Sequence, residues 1–572
     1  MSQLGLSTKE HLLRVRTTFD LLKREPYCSP VHIYLATQYA RLGYPDLAAG
    51  SAYKALLLKD AIDEPSEEYH DQANEAMQSI VESQPDEERK RLQDWQANSE
   101  SRDEDGLREQ VADMSEVQLW MYMHYAPIMY AILTESLILC GCLRTADTYI
   151  KQARRSYPDR VDFRDIQERL LTTAEQRMSL PREEILNVTA EWPDRGFVRR
   201  EQYPWNEYEP SRLQDVDTLN VWMQAVSSVL EVRVVELPVL SGGKATSIFQ
   251  LGVFAKEDLA PGQVVLQEKS LLTANNKLQD TLCDACSSDL PELGSEAAEA
   301  VVACPDCEVI FCSQWCFDNA LELYHSALCD KDVEAIAKDV PPAEAADSLY
   351  SLLLLRVLAM AETQECHPLS LREVRYIWGD FTNISIGPDL QQTLTNSDSE
   401  GNASVSRPKT LPFSFEHNIR LPFHMLEKMD VDIFQQVTYD VWTFNTLYAK
   451  FRGTASARLS GTGGRAIRGP EVSAVHPMWC LANHSCEPNV TWDWGGEVKF
   501  STRDVPIRSR RSDGEERIST LGVKKGEEIL NHYCDIDLPV RERREWASGA
   551  LGGDCQCARC VWETASETPS RS

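Results

Sequence analysis

The chain has 572 residues, 42% of them hydrophobic, and a formal net charge of −31. That length exceeds what one hydrophobic core serves, so about two to four domains are expected. The acidic balance argues against a general nucleic-acid binder, which carries a basic face. It suits either a protein that attracts basic partners or one that is merely well solvated.

The first residues, MSQLGLSTKE, contain no apolar signal segment, and the most apolar run, SLYSLLLLRVLAM at 348–360, is too short to cross a bilayer and contains Arg356. We therefore expect a soluble protein with no membrane partner, resident in the nucleus, the cytoplasm or both. The stretch RSRR at 508–511 is too short for a dependable import signal. In a reducing compartment, clustered cysteines among the 17 present indicate metal sites rather than disulfides.

Residues 1–180 are predicted to be helical, and two segments share a register of glycine followed by alanine. Gly43 precedes Ala48 in the first segment, and Gly141 precedes Ala146 in the second. Small residues at these offsets let two antiparallel helices pack closely around a glycine turn. This arrangement resembles the tetratricopeptide helical hairpin. A generic helical bundle is the alternative.

Composition and motifs divide the rest of a predicted multidomain α+β chain. The stretch GVFAKEDLAPGQVVLQE at 252–268 indicates a strand, a Pro-Gly turn and a strand. Polar or glycine-rich tracts at 395–410, 459–471 and 508–517 are predicted to be loops, the first of them disordered. In chain order we predict a connector at 181–245, a first β segment at 246–282, a cysteine-rich module at 283–329, a helical insert with the disordered loop at 330–440, a β-rich core at 441–540, a cysteine-containing tail at 541–562 and a disordered end at 563–572.

Eight residues of the cysteine-rich module have the spacing of metal ligands, in C-x2-C, C-x2-C, C-x3-C and H-x3-C pairs. They are Cys283, Cys286, Cys304, Cys307, Cys312, Cys316, His325 and Cys329. A tight C-x2-C turn points two thiolates at one metal, and residues one helical turn apart do the same from a helix. Eight ligands make two tetrahedral zinc sites, because zinc suits sulfur-rich sets and requires no special geometry. Free buried cysteines are the alternative.

This module resembles the MYND zinc finger, whose two sites interleave. The resemblance implies one zinc on Cys283, Cys286, Cys312 and Cys316, and a second on Cys304, Cys307, His325 and Cys329. The long polar gap between Cys286 and Cys304 departs from the family pattern. Closed four-ligand sites are structural. In the family such a finger presents a surface for short proline-containing peptides.

The stretch NHSCEPNV at 483–490 resembles the signature of SET-domain protein methyltransferases. Three further stretches match the same family in order: GVFAKEDLAPGQVVLQE, KKGEEILNHYCD at 524–535, and CQCARC at 555–560, which resembles the zinc-binding post-SET tail. A MYND finger inserted after the first SET segment is the layout of the SET-plus-MYND (SMYD-type) protein-lysine methyltransferases. We therefore expect a β-rich SET domain interrupted by the finger.

The resemblance assigns a role to each residue of the signature. Asn483 and His484 would line the pocket for S-adenosylmethionine, together with Gly252 and, on a more degenerate match, Asn445. Cys555, Cys557 and Cys560 are one ligand short of a closed zinc site, and the resemblance makes Cys486 the fourth. A buried apolar role for Cys486 is the alternative. Ser485 as a nucleophile is disfavoured, because no G-x-S-x-G elbow surrounds it.

Tyr533 carries the chemistry in this interpretation. A phenol near the methyl group can orient both reactants without being a strong base, because its pKa is near 10. Two departures bear on activity: Gln250 stands where the family has the first glycine of Gly-x-Gly, and Gly553 lies where an aromatic residue usually precedes the tail cysteines.

Two hypotheses follow from these residues. The first is methyl transfer from S-adenosylmethionine to a lysine of a histone tail or of another protein. The second is a catalytically weak or inactive SET and MYND scaffold that recruits protein partners. Sequence-specific nucleic-acid binding is not expected in either case.

Overall fold

The structure is a computed structural model that describes residues 7–99, 111, 113–241, 244–277, 281–333, 336, 338, 340–341, 344–379, 381, 410–458, 470–510, 516–551 and 554–567. Three predicted features lie wholly or largely outside these residues: the loop at 395–410, the glycine-rich loop at 459–471 and the last residues of the chain. Gly553, where the sequence departs from the family pattern, also lies outside them.

The α-helices of at least four residues occur along the whole described chain. They are α1 (Thr8–Leu22), α2 (Ser29–Arg41), α3 (Pro45–Asp63), α4 (His70–Glu82), α5 (Asp86–Ser99), α6 (Glu116–Cys140), α7 (Leu143–Ser156), α8 (Val161–Met178), α9 (Arg182–Asn187), α10 (Val216–Val226), α11 (Gln314–Ala320), α12 (Ala345–Thr363), α13 (Arg372–Arg375), α14 (Leu421–Lys428), α15 (Val441–Thr454), α16 (Val540–Leu551) and α17 (Ala558–Glu567).

The strands are short, apart from one long hairpin. They are β1 (Gly196–Arg199), β2 (Leu230–Ser241), β3 (Lys244–Ala255), β4 (Val264–Glu268), β5 (Thr273–Asn275), β6 (Val302–Ala303), β7 (Ile310–Phe311), β8 (Thr410–Phe413), β9 (Ser456–Arg458), β10 (Val472–Ala474), β11 (Val490–Trp494), β12 (Val498–Thr502), β13 (Arg508–Arg510) and β14 (Glu516–Ile518). All the ladders are antiparallel: β1-β8, β2-β3, β5-β10-β9, β11-β12-β4, β6-β7 and β13-β14.

The described residues form two compact units. The helical unit comprises Met1–Trp205 and Thr410–Asn445, and the β-rich unit comprises Asn206–Thr382 and Thr446–Ser572. In the helical unit, α2 and α3 form one hairpin and α6 and α7 form another. Gly43 and Gly141 lie at the two turns with φ of 76° and 81°, a left-handed backbone that glycine adopts without steric cost. The predicted helical N-terminal region is therefore confirmed.

Helix α6 is long and apolar enough to cross a membrane by length and composition alone, a feature that the sequence analysis overlooked. Half of its most apolar window is buried within the protein, and the helix packs against α3 and α7. Leu133 and Leu137 are fully buried in this packing. Such burial is typical of the core helix of a globular unit.

The segment predicted to be a connector, 181–245, contributes elements to both units. Its first part contributes β1 to the helical unit, and its second part contributes α10 and β2 to the β-rich unit. Strand β2 pairs with β3 over twelve residues, from Leu230↔Ala255 to Ser241↔Lys244. Leu230 and Val232 are buried and Arg233 is exposed, the alternation of a half-buried strand. Proline and tryptophan nearby obscured this pattern.

The predicted insert at 330–440 is likewise divided between the units. Helix α12 belongs to the β-rich unit, whereas β8 and α14 belong to the helical unit. Strand β8 pairs with β1, with Leu411 opposite Val198. A pairing between strands so distant in sequence leaves no local signal, because each strand of four residues is short and carries no turn to its partner.

A hydrophobic core holds the β-rich unit together and fixes the backbone of the signature segments. It includes Val253 of β3, Leu266 of β4, Phe500 of β12 and Ile529, all at most 1% exposed. Ile529 donates its backbone N–H to Val253 O at 2.7 Å. The segment that leads to Tyr533 is thereby anchored on β3.

Candidate active site and metal clusters

Two segments, 482–489 and 528–533, run side by side through a short parallel bridge between His484 and Asn531. Asn531 N donates to Asn483 O, and Ser485 N donates to Asn531 O, both at 2.8 Å. The side chain of Asn489 fixes the other end: its Oδ1 accepts from Leu530 N and its Nδ2 donates to Glu528 O, again at 2.8 Å. Both asparagines therefore hold the signature against the tyrosine segment.

Gly252 and Asn483 meet at a carboxylate that the sequence analysis did not single out. Asn483 Nδ2 donates to Glu528 Oε1 at 2.7 Å and to Leu251 O at 3.1 Å. A Cβ on Gly252 would lie 2.6 Å from Glu528 Oε1 and 3.3 Å from Asn483 Nδ2. Burial raises the pKa of Glu528, and the bond from Asn483 partly offsets this effect. A side chain at this position would therefore have to displace the carboxylate of Glu528 and crowd the amide of Asn483.

Tyr533 is held at both ends. Its backbone N–H donates to His484 Nδ1 at 3.0 Å, and its hydroxyl donates to Ala482 O at 2.8 Å. Burial raises the pKa of the Tyr533 phenol, so the group stays protonated near neutrality and acts as a donor. Burial also lowers the pKa of His484 to about 4, which leaves a neutral imidazole.

The structure does not favour Ser485 as a nucleophile. Its Oγ accepts from Glu487 N at 3.0 Å, a local turn contact. The two nitrogens of the neighbouring His484 face Tyr533 N and Cys486 Sγ. The imidazole is therefore not placed to take a proton from the serine.

The other predicted cofactor residues are placed differently. Asn445 belongs to the helical unit, where its Nδ2 donates to Asp46 Oδ2 and its Oδ1 accepts from Asn418 Nδ2, both at 2.8 Å. Its contact with a cofactor stays a prediction. Gln250 lies on β3 opposite Val235 and is partly exposed. The hairpin thus accommodates Gln250 where the family has glycine.

The site has features that fit a polar cofactor such as S-adenosylmethionine. Asn531 is fully buried, and its Nδ2 donor has no hydrogen-bond partner among the described residues. A buried donor without a partner costs about 1–3 kcal/mol, so a ligand acceptor at this position would relieve that cost. Gly252 supplies a backbone with no side chain beside Asn483. Directed donors around an open backbone are what a compact polar ligand requires.

Four-ligand clusters occur at three places in the described chain, and their members are those that the spacing and the family resemblance group together. The ligand atoms of each cluster lie within 4.8 Å of one another. The groups are Cys283, Cys286, Cys312 and Cys316; Cys304, Cys307, His325 and Cys329; and Cys486, Cys555, Cys557 and Cys560.

The two C-x2-C turns of the cysteine-rich module at 283–329 are built alike. The residue after the second cysteine takes a left-handed backbone, with φ of 56° at Ser287 and 63° at Glu308. Its N–H returns to the carbonyl of the first cysteine, at 2.9 Å for Cys283 and 3.0 Å for Cys304. Ser313 then caps α11 by accepting from Cys316 N at 3.3 Å. The local backbone therefore aims the thiols inward.

The tail cluster is surrounded by donors to sulfur. Arg543, which is 1% exposed, donates from Nη2 to Cys560 Sγ at 3.5 Å. The backbone N–H groups of Cys557 and Cys560 donate to Cys555 Sγ and Cys557 Sγ, each at 3.5 Å. Such donors stabilise thiolates rather than thiols. The sequence analysis did not predict Arg543, which carries no motif signal of its own.

The ligand separations fit a tetrahedral zinc ion. A Zn–S bond of about 2.3 Å places tetrahedral sulfur ligands about 3.8 Å apart. The pair Cys286–Cys312 lies at 3.8 Å, Cys304–Cys329 at 3.7 Å and Cys486–Cys555 at 4.0 Å, measured between Sγ atoms. Two further pairs are closer, Cys312–Cys316 at 3.5 Å and Cys486–Cys560 at 3.3 Å. All 17 cysteines are free of disulfides. The donor sets therefore fit zinc, which would hold each cluster closed.

Comparison with known proteins identifies one domain. The sequence model of the SET domain family matches residues 250–534. No curated protein matches the chain at a significant level. Among solved structures, one described as the crystal structure of the SET domain of LSMT bound to lysine and AdoHcy is 15% identical, with a TM-score of 0.25. The match covers 60% of this chain and 58% of that chain.

Proposed function

We propose that this chain transfers methyl groups from S-adenosylmethionine to lysine side chains of proteins. The proposal rests on the SET domain over residues 250–534, which is the domain of protein-lysine methyltransferases. One observation carries the proposal: Asn483, Glu528 and Gly252 converge beside the segment that ends in Tyr533. The signature residues and the tyrosine thereby share one site.

When bound, S-adenosylmethionine supplies a methyl group that its sulfonium already activates. The chain's own residues then have to position the reactants and exclude water. Gly252 and Asn483 would hold the cofactor. Asn531 Nδ2 would donate a hydrogen bond to an acceptor atom of the cofactor. The Tyr533 hydroxyl, fixed by Ala482 O, would orient the lysine amine. Its protonated phenol does not compete as a nucleophile.

Zinc would complete the three clusters and serve a structural role. Two ions would fold the MYND-like module, and one would tie the C-terminal tail to Cys486. The substrates would be basic: a net charge of −31 favours encounter with lysine-rich segments, in histone tails or in other proteins.

Calorimetric titration of the zinc-loaded protein with S-adenosylmethionine, and with its demethylated product, tests the cofactor site. We expect micromolar or tighter binding, about −8 kcal/mol. Transfer of labelled methyl groups to lysine-rich proteins then tests the reaction. No binding of either compound to protein that is folded and holds three zinc ions would reject the enzyme and favour a scaffold.

A specific cavity supports the scaffold as the second candidate. A cavity of about 670 Å³ lies beside the cluster that contains Cys307 and His325. These two residues of the cysteine-rich module line it together with Leu352 and Leu355 of α12. The lining also includes the acidic side chains of Asp306, Glu308 and Asp332, so the cavity offers both apolar and charged contacts to a short peptide. Proline-containing peptides that bind with equal affinity to wild type and to Tyr533→Phe, in protein that binds no S-adenosylmethionine, would establish this alternative.

A further inference from the structure

The imidazole of His484 lies between the tail cluster and the tyrosine segment. Its Nε2 is 3.4 Å from Cys486 Sγ, and its Nδ1 is 3.0 Å from Tyr533 N. Its ring centroid lies 5.1 Å from that of Tyr533. One side chain therefore touches both a cysteine of the tail cluster and the backbone of the tyrosine.

The contact with Tyr533 determines where the imidazole carries its proton. A backbone N–H can only donate, so His484 Nδ1 must be the acceptor in that bond. A neutral imidazole has one N–H and one acceptor nitrogen, so the proton is on Nε2. The Nε2–H group then faces Cys486 Sγ and donates to it.

The same argument excludes His484 as a metal ligand. His484, Cys486 and Cys534 lie close enough together to hold an ion. Coordination through Nε2 would leave the imidazole with no proton while Nδ1 accepts one hydrogen bond, and that state requires an imidazolate. Cys486 already has three cysteine partners, which make a closed set of four. His484 therefore acts on the cluster through a hydrogen bond.

We propose that His484 is a positioning residue that couples the metal cluster of the tail to Tyr533. A metal-bound Cys486 is a thiolate and accepts strongly from Nε2–H, and this bond fixes the ring whose Nδ1 holds the backbone of Tyr533. Loss of the metal frees Cys486 from its cluster, and the imidazole then loses its fixed partner on the Nε2 side. The cluster would thus set the position of the phenol as well as anchor the tail. Only the catalytic consequence rests on the proposed function.

Two substitutions separate the two bonds of the imidazole. In His484→Asn, the side-chain oxygen can replace Nδ1 and accept from Tyr533 N, but the side chain is too short to reach Cys486. In His484→Gln, the amide can reach Cys486 as a donor, as Nε2 does, and the acceptor at the Nδ1 position is lost. His532→Ala is the matched control, because that ring stacks on Trp492 and lies next to Tyr533 in sequence.

The first measurement is the metal content of the protein and the rate at which the metal is released to a chelator. The two clusters of the cysteine-rich module serve as internal controls. We expect His484→Asn to release one of three metals about 10–100-fold faster, the usual cost of losing a partner of a metal ligand. His484→Gln and His532→Ala should remain within about threefold of wild type. Equal release from the Asn and Gln variants would overturn the bond to Cys486. A cobalt spectrum that changes from three sulfurs and one nitrogen to another ligand set in either variant would make His484 a ligand.

The second measurement is hydrogen exchange of the peptide that contains the Tyr533 amide. Its exchange should be about three- to tenfold faster in His484→Gln and close to wild type in His484→Asn with metal bound. Cys557→Ser, which removes one ligand of the tail cluster, should also speed this exchange, and unchanged exchange there would overturn the coupling. Neither measurement needs S-adenosylmethionine. If the protein binds no S-adenosylmethionine, the proposed function is rejected, but both measurements can still test the role of His484.

Discussion

Asn483 donates a hydrogen bond from Nδ2 to Oε1 of Glu528 at 2.7 Å. The two residues come from the two segments that run side by side at the candidate active site. The same carboxylate oxygen would lie 2.6 Å from a Cβ at Gly252. Three residues that are distant in sequence, Gly252, Asn483 and Glu528, therefore lie in contact with one another. A methyl group added at Gly252 would disturb both of the other two side chains.

Gly252→Ala should abolish or strongly weaken binding of S-adenosylmethionine. The new Cβ would displace Glu528 Oε1 and crowd Asn483 Nδ2, so this amide could no longer donate to the cofactor. Loss of a hydrogen bond to a charged group costs about 1.5–3 kcal/mol, or about 10–150-fold in affinity. Titration calorimetry measures the loss. Gly495→Ala is the control, because no atom lies within 4 Å of its added Cβ. Equal affinity in both variants would place the cofactor away from Gly252.

The residues of the sequence motifs were predictable, whereas the groups that hold them were not. Metal-ligand spacing selected the cysteines, and glycine followed by alanine marked the turns at Gly43 and Gly141, because these signals are local. Glu528 and Arg543 have no such signal, since their roles depend on groups that only the fold brings together. The pairing of β1 with β8 is equally non-local, so no local signal indicates that parts of the predicted connector and insert pair with each other.

Tyr533→Phe should lower turnover by about 100-fold or more and leave the affinity for S-adenosylmethionine within about threefold. The change removes only the hydroxyl that donates to Ala482 O, and loss of one positioned donor has about this effect in other active sites. Tyr376→Phe is the matched control, because it loses a comparable bond from its hydroxyl to Asp215 Oδ2, at 2.8 Å. Turnover that survives in Tyr533→Phe would remove the role assigned to the phenol.

The purified protein should contain three zinc ions, and Cys560→Ser should contain two. Removal of one of the four thiolates leaves an incomplete ligand set, and the Arg543 guanidinium loses the sulfur to which it donates. Mass spectrometry of bound metal measures the count. Cys366→Ser should keep three ions, because Cys366 belongs to none of the clusters found among the described residues. A count of three in Cys560→Ser would mean that the tail cluster is not a zinc site.

Glu268 should lower the free energy of unfolding of the β-rich unit as pH rises from 6 to 8.5, relative to a variant that carries a neutral side chain at this position. Burial raises the pKa of its carboxyl from 4.5 to about 7, although it accepts the N–H groups of Met478 and Trp479. The folded chain then holds a proton that the unfolded chain has already released. The stabilisation is full below pH 4.5 and is lost through pH 7. The loss between pH 6 and 8.5 is about 1.4 kcal/mol.

Glu268→Gln tests this linkage, because it carries a neutral group at every pH. Denaturant unfolding at several pH values should give a difference between wild type and variant that changes by the same amount, about 1.4 kcal/mol, and in the stated direction. Other titrating groups cancel in that difference. A constant difference from pH 6 to 8.5 would show that Glu268 has the same charge in the folded and unfolded chains.

Gly50→Ala should destabilise the helical unit, although alanine is the better helix former. The added Cβ would clash with Val441 Cγ2, at the point where α3 packs against the start of α15. Alanine gains about 1 kcal/mol in helix propensity, and overpacking costs about 1–3 kcal/mol, so we expect a net loss of up to about 2 kcal/mol. Thermal unfolding measures the loss. Val441→Ala in the same chain removes the methyl group that clashes, so the double variant should lose less stability than the sum of the two single losses. Strictly additive losses in the double variant would mean that Gly50 and Val441 are not in contact.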